Sequence, residues 1–176
     1  MTSCRASSML SLPAPKMTGH HLFQTARTEP YKAFHLSPSE EAAMEQWVLL
    51  CSSRFDAGKG FQYAIFDRSS KMVGSIGIDV DEDRPSVVRV GYWLHVDHQG
   101  HGYATDAVRA LKDLALGPLD MTEVELGCDS ANVKSAALAE RLGFILERVD
   151  RRAPTNPGET DERLVFFARP TAQDSS

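Results

Sequence analysis

Cysteine is scarce in this chain of 176 residues: Cys4, Cys51 and Cys128 are the only three, and no two form a C-x-x-C pair. That spacing offers neither a disulfide framework nor a thiolate metal site, so free thiols in a reducing cytoplasm are expected. Cys51 and Cys128 fall in apolar patterns and are expected in the core. No apolar run reaches the length of a membrane span, so no membrane partner is expected. There is no long basic run either, and the formal net charge is −5. This argues against a nucleic-acid partner and suits a cationic one. No internal repeat is visible. Residues 1–30 lack the continuous apolar stretch of a signal peptide and are Ser/Thr/Pro-rich, so a disordered extension is expected there. Residues 31–169 read as one domain, long enough to bury a core, and 170–176 as a tail.

What the chain does have is the run Gln99-Gly100-His101-Gly102-Tyr103-Ala104. It follows the apolar stretch Val87–Leu94 and opens an amphipathic one in which Ala104, Ala107, Val108, Leu111 and Leu114 share a helical face. Strand, glycine turn and helix in that order build an anion site. The first N–H groups of a helix have no intrahelical partner and sit at the positive end of its dipole. Without a Cβ at Gly100 and Gly102, a phosphate can approach those amides. A plain strand-to-helix turn has the same glycines, so the flanking sequence has to decide.

Elsewhere the pattern predicts a short strand over Tyr31–His35. A helix follows, opened by Ser37, Pro38 and Glu40 and carrying Met44, Trp47, Val48, Cys51 and Phe55. Gly58-Lys59-Gly60 ends it. Phe61–Phe66 and Met72–Asp79 read as a hairpin, and Val87–His95 as the next strand. The glycine-loop helix stops near Leu116 at Gly117-Pro118. Thr122–Cys128 reads as a buried strand, and Asn132 caps a helix bearing Ser135, Leu138 and Leu142. Phe144–Val149 and Leu164–Ala168 are the last strands, separated by a loop over Arg151–Asp161. This order is not all-parallel and fits a mixed α/β sheet with helices on both faces.

Three motifs together resemble the GCN5-related N-acetyltransferase (GNAT) superfamily. Gln99-x-x-Gly102-x-Ala104 resembles its acyl-CoA pyrophosphate loop. Gly91-Tyr92-Trp93-Leu94 is similar to the end of its central fourth strand. Asn132-Val133-Lys134-Ser135 with Arg141-Leu142-Gly143-Phe144 resembles a segment of its ribosomal-protein N-terminal (RimJ/RimL-type) branch. The similarity spans roughly residues 61–168. It implies a single-domain, mainly antiparallel sheet flanked by helices, in which the strand ending at Leu94 splays from the strand starting at Thr122. It also implies acetyl-CoA as cosubstrate, with no metal. Three departures stand out. Arg89 occupies a position that is acidic in many relatives, Asp106 one that is often Glu, and Ala139 one that some relatives fill with a catalytic tyrosine.

The resemblance distributes the work residue by residue. Gln99, Gly100, His101, Gly102, Tyr103, Ala104 and Thr105 would hold the pyrophosphate. Tyr92, Trp93, Leu94 and Asn132 would hold the pantetheine arm. The Leu94 main chain would meet the thioester oxygen, and Ser135 would donate to the leaving sulfur. No base is evident. A protein N-terminal amine, with a reference pKa near 8 and so partly neutral at neutral pH, would demand the least of one. An acetyl acceptor at a protein or peptide N-terminus is therefore favoured. A small amine (antibiotic, polyamine or amino acid) and a non-catalytic acyl-CoA-binding module are the alternatives. A homodimer is a further expectation, since a second subunit would roof an open acceptor side. His95, His98 and His101 recur every three residues, but His101 lies inside the phosphate loop, so no metal site is assigned to them.

Overall fold

The computed structural model describes residues 21–24, 46, 49–155 and 157–170. The expected Tyr31–His35 strand, the Ser37–Glu40 helix start, and Met44, Trp47 and Val48 lie outside the described residues. One sheet runs in the order β1-β2-β3-β4-β5-β7-β6. Its strands are β1 (His21–Gln24), β2 (Gly60–Phe66), β3 (Met72–Val80), β4 (Val87–Leu94), β5 (Glu123–Asp129), β6 (Ile145–Arg151) and β7 (Glu162–Ala168). Helices α1 (Tyr103–Leu116) and α2 (Val133–Arg141) follow β4 and β5. One strand was not anticipated. β1 lies inside the stretch expected to be a disordered extension and pairs antiparallel with β2. Its four residues are too short a run to stand out of a Ser/Thr/Pro-rich background, and the β2 edge supplies the partner that makes it a strand.

Local chemistry accounts for the elements. The β2–β3 hairpin turns on Asp67, whose carboxylate accepts from the Ser69 and Lys71 N–H groups at 2.9 Å each. α1 buries Ala107, Val108, Leu111 and Ala115 on one face. They meet Val88 and Val90 of β4, Val124 and Leu126 of β5, and Phe166 of β7, and α2 adds Leu138 and Ala139 to the same core. Burying a leucine such as Leu111 stabilises the fold by about 2 kcal/mol. Gly58, at φ +67°, ends the helical segment through 49–56. Phe55 of that segment meets Phe61 edge-on at 5.2 Å, and Arg54 pairs with Asp79 on the opposite sheet face at 2.9 Å. Cys51 and Cys128 are both buried, as expected.

Among the described strands β4 and β5 are the only parallel neighbours, with α1 as their crossover. Their ladder joins Val87–Val90 to Glu123–Leu126 and stops there, while both strands continue. The expected splay is therefore present. His95 N–H bonds the Val73 carbonyl of β3 at 2.9 Å. By the alternation of an antiparallel ladder, Gly91 and Trp93 also turn their main-chain groups toward β3. Tyr92 and Leu94 turn theirs into the gap beside β5.

Candidate active site at the splayed strands

The β4–α1 loop has the backbone that its glycines permit. Gly100 and Gly102 stand at φ +79° and +84°, a region costly for other L-residues. A Cβ on either would meet no protein atom within 4 Å, so the space in front of the loop is open. Gly102 caps α1 with no side-chain bond. The first main-chain bond of the helix is from Asp106 N–H to the Gly102 carbonyl. The N–H groups of Ala104 and Thr105 thus precede the first main-chain bond of a 14-residue helix, at the positive end of its dipole. Two cations of α2 reach this loop. Lys134 Nζ donates to Gln99 Oε1 at 3.1 Å, and Arg141 Nη2 donates to Thr105 Oγ1 at 3.2 Å. Both acceptors are neutral. His101 bonds the Gln99 carbonyl through Nδ1 at 2.9 Å and stacks on Tyr103, with ring centroids 5.9 Å apart.

At the head of α2, Asn132 Oδ1 accepts from the Ser135 N–H at 3.1 Å and caps the helix. Ser135 Oγ shares a hydrogen bond of 2.8 Å with the Tyr92 hydroxyl. Burial pushes the Tyr92 phenol upward, outweighing the lowering by its bond to Ser135. Of the two aromatic neighbours, Tyr92 is the one that lines the gap. Trp93 lies on the other sheet face, 39% exposed, and its main chain faces β3, contrary to the role expected for it along the pantetheine arm. Consecutive strand residues alternate faces and hydrogen-bonding edges, so Tyr92 and Leu94 share the gap and Trp93 cannot.

The gap is the inner part of a cleft of about 530 Å³, lined among others by Gly91, Tyr92, Gly127, Cys128, Asn132 and Ser135. Its outer wall is the β6–β7 loop with Arg152 and Glu159. Glu159 accepts from the Thr155 N–H and hydroxyl at 2.9 Å each and pairs with Arg152 at 3.5 Å. Asp129 ties the loop to β5. Burial raises its carboxyl, but the N–H groups of Ala131 and Thr160 and the Thr160 hydroxyl together bring it below the usual range. Burial also raises the Cys128 thiol, which keeps it protonated, as suits a wall residue.

Tyr92, Asn132 and Ser135 therefore line the cleft, the Leu94 main chain turns toward the gap, and the 99–105 segment is bonded to α2 through Lys134 and Arg141. Glu159 was not anticipated from sequence. It sits in an irregular Pro157-Gly158-Glu159 stretch, and only the folding of β7 back against β5 brings it to the cleft. Arg89, noted above as a departure from the resembled pattern, pairs with Asp81 and Glu125, and Arg84 pairs with the same two carboxylates. A second cavity, about 640 Å³, includes Arg54, Asp79, Asp81 and Arg89. Its charges are largely satisfied by one another. His95 and His98 stand edge-on with ring centroids 5.9 Å apart, and no group of three metal-ligating side chains occurs among the described residues.

Comparison with known proteins agrees with this fold. A family model described as an acetyltransferase (GNAT) domain matches residues 14–145. The Escherichia coli ribosomal-protein-serine acetyltransferase is 30% identical over 90 residues, 51% of this chain and 50% of that protein. The chain spans about one third to two thirds of the length of the curated relatives it matches. The solved structure of RimL, the ribosomal L7/L12 alpha-N-protein acetyltransferase in complex with coenzyme A, superposes with a TM-score of 0.74 at 18% identity. That match covers 93% of this chain and 100% of RimL. A spermidine N-acetyltransferase SpeG chimera from Vibrio cholerae superposes with a TM-score of 0.69 at 14% identity, covering 86% of this chain and 96% of its own. The chain belongs to the acetyltransferase (GNAT) domain family.

Proposed function

We propose that this protein transfers the acetyl group of acetyl-CoA to a primary amine, with a protein or peptide N-terminus as the favoured acceptor. The observation that carries the reading is the Tyr92–Ser135 hydroxyl pair at the gap, beside main-chain groups of Tyr92 and Leu94 that the sheet leaves unpaired. The phosphate-bearing thioester fits the residues present. An open glycine loop, a helix start without a side-chain cap and two cations bonded to neutral oxygens suit its diphosphate. Acetyl-CoA supplies an activated acyl group, and the rest falls to the protein.

The Leu94 N–H meets the carbonyl oxygen as it becomes negative. The amine nitrogen bonds to the carbonyl carbon, and the carbon–sulfur bond breaks. Ser135 donates a hydrogen bond to the departing thiolate while accepting one from Tyr92. The raised Tyr92 phenol stays protonated through neutral pH, so that chain of hydroxyls persists. The ammonium proton leaves to Glu159, the carboxylate on the outer wall of the cleft. No tyrosine of α2 is needed: Ala139, seven residues after Asn132, is fully buried.

The ribosomal-protein relatives support an N-terminal acceptor. A polyamine is the second reading, favoured by the SpeG neighbour. Coenzyme A release with Glu159→Gln separates base from bystander. We expect activity to fall about 100-fold at neutral pH and to recover partly as pH rises and the free amine appears. An unchanged pH–rate profile would remove Glu159 from the reaction.

A further inference from the structure

One cation of the cleft has no evident structural task. Arg163 lies on β7 with the parity of Val165 and Phe167, on the face away from α1 and α2. It lines the same cleft as Ser135 and is half-buried. Among the described residues it makes no hydrogen bond and no ion pair. The nearest carboxylates in register are engaged elsewhere: Asp129 with Thr160 and Ala131, and Asp150 with Arg148. The Arg163 guanidinium lies across Gly127, where a Cβ would collide with its Nη2, Nε and Cζ atoms. Its charge is felt at the Cys128 thiol in the cleft wall. Beside it, Arg152 keeps a buried Nε with no acceptor among the described residues.

We infer that Arg163 selects the acceptor by binding an oxygen on the carbon next to the amine-bearing carbon. This rests on the acetyl-transfer reading above. Half-buried guanidinium donors without acceptors are unfavourable until a ligand oxygen meets them. The planar fork of Arg163, pressed flat on a glycine floor, presents its donors to the cleft on the side opposite the Tyr92–Ser135 pair. A peptide N-terminus carries such an oxygen as its first carbonyl, and a free amino acid carries it as a carboxylate. A polyamine has none, and its extra positive charges meet Arg163 and Arg152 unfavourably.

The test uses the full chain with acetyl-CoA and four acceptors: the peptide amide Ala-Ala-Gly-NH2, free alanine, isopropylamine and spermidine. Each acceptor is compared with itself between wild type and Arg163→Gln, so differences in amine basicity cancel. We expect kcat/KM to fall roughly ten- to 100-fold for the peptide, mostly through KM. The isopropylamine value should hold, and so should the KM for acetyl-CoA. Gly127→Ala, which occupies the place of the guanidinium, should give the same pattern. A fall for alanine larger than that for the peptide would identify a carboxylate as the bound oxygen. An equal fall for peptide and isopropylamine would overturn the inference, as would no change for either. Wild-type preference for spermidine over the peptide would overturn it too. No turnover of any acceptor by a wild-type chain that is stabilised by acetyl-CoA would instead strike the acetyl-transfer reading, and the Arg163 role with it.

Discussion

Ser135 is useful only as the carbon–sulfur bond breaks, so its removal should appear in turnover rather than in binding. We expect Ser135→Ala to lower kcat about 10- to 100-fold, with the KM for acetyl-CoA changed less than twofold. Tyr92→Phe should lower kcat less. In the double variant the two losses should not add, because the hydroxyls are bonded to each other at 2.8 Å. Steady-state kinetics on the three variants check this, and additive losses would place the two groups in separate roles. At this scale the sequence was informative in part. Asn132 was legible as a helix cap, while Ser135 stood out only through the family resemblance; both line the cleft. Glu159 and Arg163 were not, because each reaches the cleft only through long-range strand pairing that no local spacing encodes. The partner of Ser135 was likewise hidden: a strand residue 43 positions away.

The β4–α1 loop works as an element, and its cations come from a different one. Lys134→Gln and Arg141→Gln should each weaken CoA binding about tenfold and reduce its dependence on salt. Both residues now bond neutral oxygens, which phosphate can outcompete. Acetyl-pantetheine, which has no nucleotide phosphates, should show no such loss, and calorimetry with both ligands reads the difference. Replacing Gly102 is a poorer test than the sequence suggests. At φ +84° any side chain strains the loop by about 1–2 kcal/mol with or without ligand. Strand and helix boundaries were legible wherever periodicity was strong, as in α1, where a buried row at helical spacing meets a glycine at each end. β1 escaped because four residues of an edge strand carry no period of their own. The splay was expected from resemblance alone. It is visible physically only as a ladder that stops at Val90 and Leu126.

On the scale of the whole molecule, several carboxylates are held below their usual range: Asp81 by its bonds to Arg84, Glu147 by its bonds to Arg169, and Asp129 by the N–H groups and hydroxyl around it. A lowered carboxyl stabilises the fold above its unfolded value, near pH 4, and loses that contribution as pH falls through the folded value. Thermal unfolding should therefore be flat above about pH 5 and fall steeply below pH 4. Asp81→Asn should flatten that limb while lowering stability at pH 7. A steep loss that begins at pH 6 would point to histidines instead. Acetyl-CoA at 100 times its Kd should add about 2.7 kcal/mol of stability, read as a rise in Tm. The most direct test of the central claim is mass spectrometry of a peptide with a free N-terminus after incubation with labelled acetyl-CoA and the full chain. The prediction is one labelled acetyl group on the α-amine with stoichiometric CoA release, strongly reduced in Ser135→Ala. CoA bound tightly with no acetyl moved to any amine would contradict it and leave a binding module in its place.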